Sequence, residues 1–307
     1  MEIDTLLVSY EEVQDAQQFW DELEELVCRD QSTLRLVEQA VRTFLSFAAM
    51  FRDDYLLSEE DVTRCCYLLL ESPLFLNHKG LVRRRLCSHF VKDSRNSRAC
   101  YLIAFLLILD GKSYHKTLEL LLSEGAFPLL CFLIMQSRSI DARLHFTLLD
   151  LLYEMCRIQR LGLRDLAGMD ESFVSFLFGL VETSMEDEDD VGPIRAVLVL
   201  NEQYMVAAHA EVVEDVAEDG ESPEPIPNKV LYLLGTAGFA FKTFGEKIIL
   251  MINRERDLSL QLLILKLLFL LFTTPETYEY FYYNDLRVLV DVFIRELNDI
   301  ADDSEPV

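Results

Sequence analysis

Residues 262–272 read Leu-Leu-Ile-Leu-Lys-Leu-Leu-Phe-Leu-Leu-Phe. A stretch this apolar must leave water, yet eleven residues cannot cross a bilayer, which takes about 20 in a helix. Lys266 also interrupts the run. A second run, 101–109, is shorter still. Both therefore predict core helices of a water-soluble body. The rest of the chain agrees with helices rather than strands. Leucine dominates, alternating β-branched segments are few, and there are only 11 Gly and 8 Pro in 307 residues. With 51% apolar residues the chain can build a large core.

The formal net charge is -25. Such a chain is repelled by nucleic-acid phosphates and anionic membranes, so neither a nucleic-acid role nor membrane insertion is expected. The charge suits basic partner surfaces, and it equally serves to keep a leucine-rich body in solution. The seven cysteines, Cys28, Cys65, Cys66, Cys87, Cys100, Cys131 and Cys156, are odd in number and irregular in spacing. They read as reduced thiols among apolar neighbours and favour a cytosolic setting. The opening Met-Glu-Ile-Asp-Thr lacks the basic flank and apolar run of a signal peptide.

Helical periodicity and end signals divide the chain. An acidic amphipathic helix over 10–28 buries Phe19, Leu23, Leu26 and Val27, and a second over 32–51 is capped at Ser32 or Thr33. Ser58 caps a third, its hydroxyl taking a free N–H while Glu59, Glu60 and Asp61 suit the positive helix end. Pro73 marks the next boundary, and 81–109 holds two helices split near 92–96. At Glu124-Gly125-Ala126-Phe127-Pro128 a helix ends, Gly125 turns left-handed, and Pro128 opens the next. That turn resembles an armadillo-repeat junction. Two further helical segments cover 139–161 and 170–184. The fold expected is all-α, one irregular armadillo/HEAT-like helical solenoid over 1–307. An acidic loop over 186–193 and an acidic, Pro-rich mobile loop over 218–228 interrupt it, with a helix over 194–209 between. The final third predicts helices over 230–244, 246–253, 258–272, 275–283 and 286–297, then a frayed acidic tail over 299–307.

No catalytic chemistry stands out. The five histidines form neither HxH nor HExxH, no Ser/His/Asp or Cys/His grouping occurs, and no cofactor or metal residue is assigned. Gly235, Gly238 and Gly245 fit no phosphate-binding spacing and read as sites of close packing or turns. Arg83, Arg84, Arg85, Lys92, Arg95 and Arg98 form the one basic concentration. They are either a docking patch or a face that neutralises acids within the solenoid. In the tail, Arg287, Asp291 and Arg295 are spaced for an ion-pair ladder. Val288, Leu289, Val292, Phe293 and Leu297 give that helix an apolar stripe expected to dock on 258–272, with Asp285 as its N-cap. Tyr278, Tyr280, Phe281, Tyr282 and Tyr283 cannot all point inward from one short segment. Either some stay exposed as an interaction hot spot, or they plug the end of the solenoid.

The order of motifs over 244–299, Thr243-Phe244-Gly245-Glu246, Asn253-Arg254-Glu255, 261–266, Thr277-Tyr278-Glu279-Tyr280-Phe281, Asn284-Asp285 and 295–299, resembles the leucine-rich domain of the WISH/DIP family, with weaker support at 200–204. With no SH3 domain or long Pro-rich region in the sequence, the resemblance is to the compact fungal type, or to an isolated domain, rather than to the longer animal adaptor form. It implies a non-enzymatic activator of the Arp two/three complex that stimulates linear actin filaments without a pre-existing filament and seeds branched networks at endocytic sites. Its partners would be that complex, actin indirectly, and SH3-containing endocytic adaptors, at cytoplasmic cortical actin patches. The partner-binding residues expected are Arg254, Arg256, Lys266, Tyr278 and Tyr282. The competing reading is a general armadillo-like adaptor that binds basic peptides, through an acidic groove, or partner proteins.

Overall fold

The structure, a computed structural model, describes residues 13–28, 33–183, 191–214 and 226–303; at 209–214 and 299–303 it describes the backbone alone. Among the described residues the fold is all-α, as expected, with helix following helix and no strand. The residues gather into two compact units, Met1–Ile158 and Gln159–Val307, a finer division than the single domain expected over 1–307.

The first unit holds α1 (Ala16–Cys28), α2 (Leu34–Met50), α3 (Arg52–Tyr55), α4 (Glu59–Leu70), α5 (Pro73–Lys92), α6 (Ser97–Ser113), α7 (Lys116–Ser123), α8 (Ala126–Ser137) and α9 (Ala142–Ile158). Its boundaries are set locally. Thr33, Ser58, Ser72 and Asn96 each accept a backbone N–H of the helix they cap. Pro73 starts α5, where its missing N–H costs nothing. Gly125 takes φ 76°, the left-handed turn expected before α8. α6 is the central element, packed on α2, α4, α5, α7 and α9, and its run from Tyr101 to Ile108 is buried except at Phe105. Burial pushes the Cys65, Cys87 and Cys100 thiols up to about 12, which fits inert core cysteines.

The capping box at α4 gives a measurable test. Asp61 N–H donates to the Ser58 hydroxyl at 3.1 Å, and Ser58 N–H donates to Asp61 Oδ2 at 3.0 Å. Ser58→Ala is expected to cost about 1 kcal/mol in urea denaturation. The Ser58 hydroxyl, then its N–H, hold the Asp61 carboxyl below its ordinary range. A depressed folded-state pKa adds stability that is present above the unfolded value and lost as pH falls through the folded one. The acid-side loss should therefore shrink in Ser58→Ala.

Three residues of the basic concentration, which runs from α5 to the start of α6, pair with acids of the same unit. Arg83 grips Asp110 through two bonds of 2.7 Å, Arg85 pairs with Glu38, and Arg98 pairs with Asp53 at 2.6 Å. Of the two readings, neutralisation within the unit describes these three arginines.

The second unit holds α10 (Leu163–Gly168), α11 (Glu171–Thr183), α12 (Gly192–Glu214), α13 (Lys229–Ala237), a 3₁₀ turn (Gly238–Ala240), α14 (Lys242–Arg254), α15 (Leu258–Thr273) and α16 (Tyr283–Asp303). Several expectations are corrected here. The acidic stretch 186–190 and most of 218–228 lie outside the described residues, but α12 begins at Gly192, inside the expected loop. The boundary expected at 245 falls at Phe241, and Gly245 is buried inside α14. Residues 275–281 form turns rather than a helix. α16 begins at Tyr283, so Asp285 is not the N-cap; its carboxylate instead accepts the N–H of Tyr282 at 3.2 Å. The helix runs on to Asp303, through the first part of the expected tail, because no helix breaker precedes Pro306.

α16 also docks elsewhere than expected. It packs chiefly on α14 rather than on α15. Of its expected stripe, Leu289 and Val292 are buried, whereas Val288 and Leu297 are exposed. The ion-pair ladder does not form. Arg295 reaches across to the Asn253 side chain at 2.8 Å and pairs with Glu296, leaving Asp291 aside.

Candidate functional site

α15 is apolar on every side, a pattern that normally means complete burial. Only one side is covered. Leu260, Leu263, Ile264, Leu267, Leu268 and Leu271 pack inward against α12 and α14. Leu258, Leu262, Leu265, Phe269 and Phe272 remain between 40 and 78% exposed. Their spacing of 4, 3, 4 and 3 residues lays them along one seam, the pattern of a helix awaiting a partner. At its far end Phe272 lies 5.8 Å from the Phe281 ring, which joins the seam to the aromatic turn.

The near end of the seam is a wound loop. Glu255 Oε1 accepts the N–H groups of Arg256 and Asp257, both at 2.8 Å. Gln261 donates to the Glu255 carbonyl at 2.7 Å, and Asp257 caps α15 at Ser259 N–H, 2.8 Å away. These bonds fix the loop backbone and leave the Arg254 and Arg256 side chains exposed, without an ion pair among the described residues. The third expected cation behaves differently. Lys266 is half-buried and pairs with Glu202, tying α15 to α12.

Glu202 belongs to a short polar run that works as a clasp. Asn201 is buried and accepts from Asn228 at 2.8 Å, while Asn228 caps α13. Gln203 accepts from Leu161 N–H and donates to the Gln159 carbonyl, at 2.8 and 2.9 Å. Buried polar groups in this number survive only because each has a partner. The motif at 200–204 is thus structural.

The aromatic turn divides its rings between both expected roles. Phe281 is buried and Tyr280 half-buried, whereas Tyr278, Tyr282 and Tyr283 are exposed. The glycine cluster explains the inward pair. A Cβ on Gly238 would lie 2.9 Å from Tyr280 Cδ2, and one on Gly245 would lie 3.1 Å from its Cε1. Gly235 faces Glu276 in the same way, at 3.1 Å. The glycines therefore open a slot for the Tyr280 ring, whose hydroxyl donates to the Phe241 carbonyl. Burial, the largest influence, holds that phenol above its ordinary range. From the other side, Glu182 of α11 accepts the N–H groups of Thr243 and Phe244, at 3.2 and 3.0 Å, satisfying the free start of α14.

Beside this slot is a cleft of about 300 Å³. Phe239 and Tyr282 stand at its edge, and Lys242 places its ammonium 5.3 Å from the Tyr282 ring centroid. Sequence reasoning singled out Tyr278 and Tyr282, but it missed Phe239, Lys242 and the whole α15 seam. The seam did have a sequence signal. A second apolar stripe at 258, 262, 265, 269 and 272 runs beside the one needed for the core.

Comparison with known proteins places these features in a family. Residues 187–307 match the family described as SPIN90/Ldb17, leucine-rich domain. The Schizosaccharomyces pombe protein dip1 is 34% identical over 95% of this chain and 77% of its own length. The LDB17 proteins of Eremothecium gossypii and Saccharomyces cerevisiae are 28% and 25% identical over 94% of this chain, which spans 66% of each. With such identity along nearly its full length, and with the α15 seam, the aromatic turn and the glycine slot all inside the matched residues, this chain belongs to the WISH/DIP/SPIN90 family.

Proposed function

We propose that this chain is a non-enzymatic activator of the Arp two/three complex. It binds the complex and stimulates nucleation of linear actin filaments without a pre-existing filament, seeding branched networks at cytoplasmic cortical patches. Actin itself is then an indirect partner, and SH3-containing endocytic adaptors are further ones. Family membership supports this reading, and the observation that carries it is the uncovered α15 seam with Arg254 and Arg256 at its end. Activation needs no covalent chemistry. It needs a surface that contacts the active arrangement of the complex more favourably than the resting one, since only differential affinity shifts a conformational equilibrium. A seam held on a packed helix presents its side chains with little ordering cost.

The test is assembly of fluorescent actin with purified Arp complex and no added filaments. The chain should shorten the lag, and imaging should show linear products; an unchanged lag defeats the reading. Reversing both loop charges, Arg254→Glu with Arg256→Glu, should weaken binding to the complex about tenfold, as expected for two solvent-facing charges at an interface rim. Unchanged binding by a folded double variant would remove the arginines from the interface. A second reading, an adaptor for basic peptides, draws on a different feature, the acidic cleft beside Tyr280.

A further inference from the structure

The cleft beside the Tyr280 slot has an unusual mixture of walls. Phe239 is 78% exposed and Tyr282 60%, so two aromatic faces meet water at a concave surface. Glu246, Glu276, Glu279 and Asp285 also line it, against Lys242 as the single cation, a net of three negative charges. Asp285 is engaged by the Tyr282 N–H, and Glu279 by the Tyr278 hydroxyl, whereas Glu246 and Glu276 face solvent. The chain itself supplies a demonstration of what such walls hold. The Lys242 ammonium sits over the Tyr282 ring, and the Tyr282 hydroxyl, with Glu246 adding, keeps it charged above its ordinary range. An aromatic face and carboxylates together recognise a cation, the ring through its quadrupole and the acids through charge.

We infer that this cleft is a second protein-binding site, which takes a lysine or arginine side chain from a basic partner segment. Lys242 is then an internal competitor, resting on the ring that the incoming cation would use. The slot geometry keeps the site in place. Gly235 of α13 leaves no room for a Cβ beside Glu276, and Gly245 of α14 leaves little beside Tyr280, so the turn that carries Glu276, Glu279 and Tyr282 lies close against both helices. The inference gives the basic-peptide reading a location. It does not depend on the nucleation reading, because the α15 seam and the cleft are changed by different substitutions.

The experiment measures fluorescence anisotropy of a labelled peptide of alternating lysine and serine with the full chain. The same peptide with every lysine acetylated is the comparison. The unmodified peptide should bind and the acetylated one should not. Glu276→Gln with Glu279→Gln should weaken binding about tenfold, and Tyr282→Ala several-fold. Lys242→Ala should tighten it several-fold by vacating the ring. The control is Glu59→Gln with Glu60→Gln on α4, which makes the same change in net charge elsewhere and should leave affinity within about twofold. Equal binding of the acetylated peptide, no loss in the cleft variant, or an equal loss in the control would each overturn the inference. Circular dichroism of every variant establishes that the helices are intact.

Discussion

Asp110→Ala is expected to destabilise the first unit by about 3–5 kcal/mol, the range for breaking one partner of a buried charge pair. Asp110 is 4% exposed and sits on α6, the helix around which that unit packs. Its two oxygens receive both Nε and Nη2 of Arg83 on α5 at 2.7 Å, and one also accepts the Thr117 hydroxyl on α7. One carboxylate therefore joins three helices. The Arg83 guanidinium further stacks 4.1 Å from the Tyr114 ring and 5.3 Å from Phe75. Removing the carboxylate leaves this arginine, its side chain only 14% exposed, without a counter-charge. A guanidinium is protonated at any ordinary pH, so Arg83 does not escape by losing its proton once the carboxylate is gone. A domain is usually stable by only about 5–15 kcal/mol, so the loss is a large share of the total. Thermal unfolding followed by circular dichroism should show the first transition lowered by on the order of 10 °C. Replacing both partners by apolar residues, Arg83→Met with Asp110→Leu, should recover most of it, because the unpaired charge is then gone. A loss below about 1 kcal/mol in Asp110→Ala would show that water reaches Arg83.

That pair also shows where sequence reasoning stops. Arg83 was conspicuous within a basic cluster, but its partner lies 27 residues away and is one of 53 acidic residues. Nothing local selects Asp110. The features that were legible are those decided within one turn of chain: the caps at Thr33 and Ser58, Pro73 at a helix start, Gly125 in its left-handed turn. The features that were misread are those decided by a distant neighbour. Gly245 looked like a boundary, but it is a helix interior made small for the Tyr280 ring. Arg287, Asp291 and Arg295 have ladder spacing, yet Arg295 finds Asn253, 42 residues back. Lys266 looked like a surface cation in an apolar run, and its partner Glu202 is 64 residues away. Of the five partner-binding residues expected, four are exposed, and Lys266 is tied to α12.

Leu262→Ala with Phe269→Ala should separate folding from partner binding more sharply than any other change. Both side chains lie on the uncovered seam of α15, 51 and 62% exposed, and the covered face of the helix does not include them. Alanine is the best helix former, so the helix itself is not weakened. Surface substitutions of this kind usually alter stability by under about 0.5 kcal/mol each. The unfolding midpoint should therefore stay close to that of the parent chain. At an interface the same two residues would sit at the centre of the apolar strip, where a large apolar anchor contributes about 2 kcal/mol or more, roughly 30-fold in affinity. Binding of the variant to purified Arp complex should fall by about 100-fold or more, and its lag in actin assembly should approach that of actin and complex alone. Leu263→Ala, on the covered face of the same helix, makes the opposite prediction. It should cost about 2–5 kcal/mol of stability, as buried leucine truncations do, while the folded fraction keeps its affinity. If the seam variant bound as tightly as the parent, α15 would be exposed for some other partner and the interface would have to be sought at the aromatic turn. If it unfolded, the seam would be part of the core rather than a surface.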